Sequence, residues 1–246
     1  MKLDALVIAA HPDDAEISVG GTLLRLQDAG KRVGILDLTR GELGSRGSRA
    51  DRDRETEHAS RLLGLAWRGN LDLPDGRVVA DVAARERVAA LLRELAPELV
   101  LAHNTVDPHP DHAAAGRIAR EAWYVSGLKR LAEAAGGPPA RRPRRLLQFQ
   151  SHLTFEPTYV VDVGSVWERK LAVIRAYASQ LAPADDRDRG EHFLYGADIL
   201  VRAETKARTA GERISVSFGE PFLAVGPLPA GTAELLGEDA SGGAPL

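Results

Sequence analysis

The sequence predicts an α/β fold, a Rossmann-like and mostly parallel sheet with helices on both faces and a C-terminal extension. Three observations predict it. Residues 3–10, 33–38 and 98–103 are short runs that are apolar almost throughout, as strands buried on both faces are. Segments with helical spacing alternate with them, the order that parallel crossover units require. The pattern then changes after a Gly/Pro/Arg-rich break at 136–145, which sets off the C-terminal part.

Taken in order, 3–10 reads as the first strand. Residues 17–29 follow with Ile17, Leu23, Leu24 and Leu26 at helical intervals, and Gly30 stops the helix. Residues 33–38 form the second strand, 39–49 a loop of Gly, Ser and Arg, and 51–63 a charged helix closed by Gly64. Residues 81–95 form a helix ended by Pro97, 98–103 a strand, and 113–124 a further helix. Beyond the break, 146–150 and 159–163 read as strands, 167–177 and 196–210 as helices, and 213–218 as a last strand. The tail from Gly226 is rich in Pro, Gly, Ala and Ser. The whole reads as one domain, with a core over about 1–135 and a C-terminal part over about 146–225. No internal repeat is present.

Composition narrows the function. The chain of 246 residues has a net charge of −3, with 44% apolar and 27% charged residues. That balance offers no field to draw in nucleic acid or an anionic membrane. The absence of cysteine excludes disulfides and thiolate metal sites, so any metal must be held by His, Asp and Glu. No apolar stretch reaches the ~18 residues of a membrane helix. The N-terminus lacks the features of a signal peptide, so a cytoplasmic protein is expected.

Two clusters carry the chemistry. The first, Ala10-His11-Pro12-Asp13-Asp14-Ala15-Glu16, follows the first strand, and open α/β sheets bind ligands at the carboxyl ends of their strands. His11 and Asp14 are spaced to converge on one ion across a turn stiffened by Pro12, with Asp13 between them aimed at the ion's open position. The second, Asp107-Pro108-His109-Pro110-Asp111-His112, follows strand 98–103, and His109 and His112 project to one side of a tight turn. Either cluster alone can be an ordinary turn, because Pro and Asp form turns readily. Together, at matching strand ends, they point to a His₂Asp site with an open position, the pattern of a catalytic rather than a structural zinc. His58 reads as a surface residue and His103 as either pocket-lining or structural. His152 and His192 have no metal-ligand partner nearby in sequence. Residues 39–48 lack the Gly-Lys-Ser/Thr of a phosphate loop, which argues against phosphoryl transfer. Arg49, Arg52 and Arg54 read mainly as a solvated helix face, on which one arginine turned inward could fork a carboxylate.

The pair of tetrads, His11-Pro12-Asp13-Asp14 and His109-Pro110-Asp111-His112, resembles the LmbE-like, or PIG-L, zinc N-deacetylases. Residues 37–44, 71–76, 155–163 and 170–180 are similar to the branch that deacetylates N-acetylglucosaminyl malate in bacillithiol biosynthesis. The resemblance spans about 3–225, within a single LmbE-like domain over 1–246. Pro108 stands where that branch often has a basic residue, and Phe218 where relatives often have tyrosine. The resemblance implies one Zn²⁺ per subunit, replaceable by another divalent metal, on His11, Asp14 and His112. It implies Asp13 as general base and a protonated His109 as second catalytic group, oriented by Asp111. It implies Arg52 as a substrate-binding residue and Asp75 as a grip on sugar hydroxyls. The partner would be a small amino sugar, and the chain a homo-oligomer, hexameric in some members. Alternative substrates are a chitooligosaccharide, a mycothiol precursor or a thiol-conjugate amide. The alternative from another class is a non-catalytic sugar- or nucleotide-binding module.

Overall fold

The computed structural model describes residues 1–44, 47–181 and 199–226. Its elements are β1 (Ala5–Ala9), α1 (Asp14–Asp28), β2 (Val33–Asp37), α2 (Arg49–Leu63), β3 (Trp67–Asn70), α3 (Val82–Leu95) and β4 (Leu99–His103). They continue as α4 (Pro110–Ser126), α5 (Lys129–Ala135), β5 (Arg145–Phe149), β6 (Tyr159–Asp162), α6 (Trp167–Arg175), α7 (Ile199–Glu212) and β7 (Gly219–Ala224). A seven-stranded sheet runs β3-β2-β1-β4-β5-β7-β6. Strands β1 to β5 pair in parallel, and β7 lies antiparallel between β5 and β6. The first five strands therefore have the doubly wound order, with its reversal point between β1 and β4.

Side chains alternate along each strand, so the sheet builds one core on each face. Leu6, Ile8, Leu36, Val100 and Ala102 pack with Val88, Leu92, Ala115 and Ile118 of α3 and α4. Ala5, Val7, Ala9, Ile35 and Leu101 pack on the other face with Val19, Leu23, Leu63, Trp167 and Leu171 of α1, α2 and α6. Helix α2 starts at a capping box, Ser48 accepting from the Asp51 N–H while Asp51 accepts from the Ser48 N–H, and ends at Gly64 in the left-handed conformation. Among the described residues no helix is long and apolar enough to cross a membrane.

Several boundaries differ from the sequence reading. Helix α1 starts at Asp14 rather than 17, and α4 at Pro110 rather than 113. Proline suits the first helical position because the amide it lacks would have no partner there. Strand β3 and helix α5 have no counterpart in the sequence reading. Residues 213–218 are turn and bend, and the last strand is β7 at Gly219–Ala224. Gly211 explains this: a Cβ added there would lie 2.6 Å from the Val216 carbonyl oxygen, so the chain doubles back tightly after α7. Residues 45–46, the start of the predicted helix 196–210, His192 and the tail beyond Gly226 lie outside the described residues.

Candidate active site

The C-terminal ends of β1 and β4 face the same crevice, and each leads into a helix bearing site residues. After β1 the chain turns at Asp13, whose φ of 105° is rare for a residue with a side chain, and α1 begins with Asp14. Strain of this kind persists where its surroundings over-determine it. After β4 the loop reaches His109, which caps α4, so Asp111 and His112 occupy the first turn of that helix. They are not on a separate tight turn. Gly116 lets α4 lie against the end of β4: a Cβ there would stand 2.6 Å from the His103 carbonyl oxygen.

Asp14 is the centre of the cluster. Its Oδ2 lies 3.2 Å from His11 Nδ1 and its Oδ1 3.3 Å from His112 Nε2. The potential ligand atoms of His11, His109 and His112 lie within 4.8 Å of one another, as do those of Asp14, His103 and His112. Hydrogen bonds from the protein engage two of these rings. The Ala10 N–H donates to His103 Nε2 at 3.1 Å, and His103 Nδ1 bonds Ser151 Oγ at 2.7 Å, so both ring nitrogens are engaged. Burial lowers the pKa of His103 to about 4, which keeps the ring neutral. His103 Nε2 also lies 3.3 Å from Asp14 Oδ2. The Asp111 N–H donates to His109 Nδ1. His11, Asp14 and His112, the set expected from the sequence, meet through the two oxygens of Asp14.

The charge of the site fits a cation. Asp13, Asp14, Asp75, Asp107 and Asp111 converge there, and among the described residues Arg52 is the one arginine or lysine ion-paired with any of them. Burial alone would depress the pKa of His11, but Asp111, Asp14 and Asp75 outweigh it and raise it well above the ordinary value. His112 is raised to about 9 in the same way, against its burial, chiefly by Asp14 and Asp107. Burial opposes ionisation of Asp14 too, yet His112, His103 and His11 hold its pKa well below the usual range. The carboxylates thus favour positive charge at His11 and His112, and a nitrogen- and oxygen-donor set with surplus negative charge suits zinc or another divalent ion.

Asp13 is set apart from Asp14. Arg52 NH1 donates to Asp13 Oδ2 at 3.0 Å, and its NH2 donates to the Pro12 carbonyl at 2.6 Å. Burial, and next the Asp14 charge among the raising effects, push Asp13 up to about 6 against the pull of Arg52. Arg52 is only 5% exposed and lies over the Tyr177 ring, 5.6 Å from its centroid. Its guanidinium is turned inward, but onto Asp13. Tyr177 in turn donates to Glu16, which pairs with Arg68, and Arg68 pairs with Asp37.

His109 stands with its ring centroid 5.0 Å from that of His11 and 4.5 Å from that of His112. Burial, His112 and His11 lower its pKa, and Nδ1 accepts a backbone N–H, so the ring is neutral with its proton on Nε2. The Asp111 carboxylate is turned away from the His109 ring: it meets His11 Nε2 at 3.2 Å and accepts from the N–H groups of Gly76 and Val78. Asp75 lies on the same side, its Oδ1 3.0 Å from His11 Nε2.

All eight site residues singled out in the sequence thus lie in one cluster. Three more join it. Asp107 accepts from the N–H groups of His109 and His152 and from His152 Nδ1 at 2.8 Å. The His152 ring stacks on His112 with centroids 4.9 Å apart. His103 is the third, and its place at the end of β4 was its only signal. His152 follows β5, and only the β4–β5 pairing brings it alongside Asp107. Lys206 of α7 donates to the Ser151 carbonyl, and burial lowers its pKa to about 8. Phe218 stacks flat on Trp167, at 4.3 Å and 5°. His58 is exposed on α2.

Residues 6–123 match the family described as PIG-L, GlcNAc-PI de-N-acetylase. A diacetylchitobiose deacetylase of Thermococcus kodakarensis is 30% identical over 201 residues, covering 77% of this chain and 74% of that protein. A 4-oxalmesaconate hydratase of Pseudomonas putida is 29% identical over 194 residues, covering 72% and 73%. Among solved structures, the conserved protein TT1542 of Thermus thermophilus superposes with a TM-score of 0.82 at 36% identity, covering 93% of this chain and 97% of that one.

Proposed function

Because this chain belongs to the PIG-L, or LmbE-like, deacetylase family, we propose that it is a zinc-dependent hydrolase that removes the N-acetyl group from an N-acetylglucosamine conjugate. Within that class the sequence favours N-acetylglucosaminyl L-malate. The observation that carries the reading is the division of labour between adjacent carboxylates. Asp14 is committed to two imidazoles, while Asp13 is held off by Arg52 with a pKa near that of a working base.

His11, Asp14 and His112 would hold the ion, which, when bound, acidifies water and polarises a carbonyl. The chain's own residues do the rest. Asp13 takes one proton from the attacking water as its oxygen bonds to the acetyl carbon. His109 points its Nε2–H at the carbonyl oxygen as negative charge develops there; a donor of this kind is worth about 3 kcal/mol. Asp13 then passes its proton to the departing nitrogen as the C–N bond breaks. One water is consumed, the free amine leaves, and the acetic acid released with it ionises to acetate by giving its proton to solvent.

A second reading, hydration of an unsaturated carboxylate, is favoured by the hydratase relative. A substrate panel separates the two. Zinc-loaded protein is incubated with N-acetylglucosaminyl malate, N-acetylglucosamine, N,N'-diacetylchitobiose, an N-acetylglucosaminyl inositol and an unsaturated dicarboxylate. Amine release and loss of the alkene absorbance are followed. Amine release is expected, fastest from the malate conjugate. Alkene loss without any amine would replace deacetylation by hydration.

A further inference from the structure

We infer that Asp75 is a positioning residue of the metal site rather than a grip on sugar hydroxyls: with Asp111 it clamps Nε2 of His11 and turns Nδ1 toward Asp14. This rests on the metal-site reading above. The two carboxylates reach the same nitrogen, Asp75 Oδ1 at 3.0 Å and Asp111 Oδ2 at 3.2 Å, and both side chains are buried.

Each carboxylate is itself fixed. Asp75 Oδ2 accepts the Leu43 N–H at 2.8 Å, and the Asp75 N–H donates to Glu42 at 2.9 Å. Asp111 accepts the N–H groups of Gly76 at 2.7 Å and Val78 at 3.0 Å. Gly76 adopts a φ of +69°, the left-handed conformation that lets the loop after β3 turn back over the site. The loops after β2 and β3 and the first turn of α4 therefore close on one imidazole.

The consequence is chemical. An Nε2 flanked by two carboxylates must carry a proton, so a neutral His11 keeps its lone pair on Nδ1, the atom that faces Asp14. A ring flipped about its axis would set Cε1–H against Asp75 and Asp111 and Cδ2–H against Asp14. The carboxylates also make Nδ1 a stronger donor, as partners behind metal-bound histidines do. Asp75 is buried and spends both oxygens on this arrangement.

The test compares zinc affinity, by competition with a chromophoric chelator, in the wild type, Asp75→Asn and Asp111→Asn. Alongside it, the imidazole ¹⁵N resonances of the zinc-loaded wild type are recorded. Each variant is expected to bind zinc about 10–100-fold more weakly, while KM for N-acetylglucosamine at saturating zinc changes less than twofold in Asp75→Asn. His11 is expected to be protonated on Nε2. Unchanged zinc affinity with a raised KM in Asp75→Asn would return that residue to the sugar. An Nδ1–H tautomer in the wild type would overturn the clamp without reference to any variant. A wild type that binds no zinc would overturn the metal-site reading itself, which separates the two failures.

Discussion

At the scale of residues, Asp13 and Asp14 show how neighbours in sequence acquire different chemistry. Asp14 is ionised by imidazoles, while Asp13 is pushed toward neutrality by burial and recovered by Arg52. Asp13→Asn is expected to bind zinc as the wild type does and to lose about 10²–10⁴-fold in kcat, the usual contribution of a general base; metal analysis beside a rate assay checks both. A base works deprotonated, so kcat/KM should fall as pH drops through the pKa of Asp13. That pKa is about 6 before a bound cation lowers it. Arg52→Gln removes a lowering influence and should move the acid limb of the pH profile upward. Both tetrads were legible in the sequence because each is a compact run of ligand types at a strand end. The partners of those residues were not. That Arg52 would meet Asp13, that Asp75 and Asp111 would meet His11, and that His152 would join Asp107 all depend on contacts between loops of different strands.

Elements carry this chemistry only if their spacing holds. Helix α4 lies against β4 because Gly116 has no side chain. Gly116→Ala is expected to cost about 1–3 kcal/mol through overpacking and to weaken zinc binding by shifting His112; urea melts and chelator competition measure the two effects. On the opposite face, Glu220 of β7 accepts the N–H groups of Gly21 and Thr22 in α1 and pairs with Lys170 of α6 at 2.6 Å. Both charged side chains are buried. Lys170→Met leaves that carboxylate without its cation and is expected to destabilise the fold by about 3–5 kcal/mol, read from urea denaturation. The same pair explains why the sequence pattern misplaces β7. Gly219, Glu220 and Pro221 do not look like a strand, because Glu220 points inward to a partner no local pattern reveals. Strand β3 escapes for a related reason: Trp67, Arg68, Gly69 and Asn70 are half-buried at a sheet edge, and Arg68 turns inward to Asp37 and Glu16. Strands β1, β2 and β4 were legible because burial on both faces leaves a continuous apolar signature.

For the whole molecule, the doubly wound half supplies every direct site residue from His11 to His112. The C-terminal part contributes His152, Ser151, Lys206 and the Lys170–Glu220 anchor from behind. A ligand that binds only the folded state stabilises it, by about 2.7 kcal/mol at a hundred times its Kd. Zinc should therefore raise the melting temperature of the wild type and leave that of His11→Ala unmoved, as calorimetry with and without chelator would show. In the proposed reaction an ion held by His11, Asp14 and His112 would work with Asp13 to cleave an N-acetyl group. The most direct measurement is acetate release from an N-acetylglucosamine conjugate by zinc-loaded wild type and zinc-loaded Asp13→Asn, with zinc content determined in each. Acetate from the wild type and a collapse of the rate in a fully zinc-loaded variant are the result expected. Equal rates in the two proteins would contradict the account.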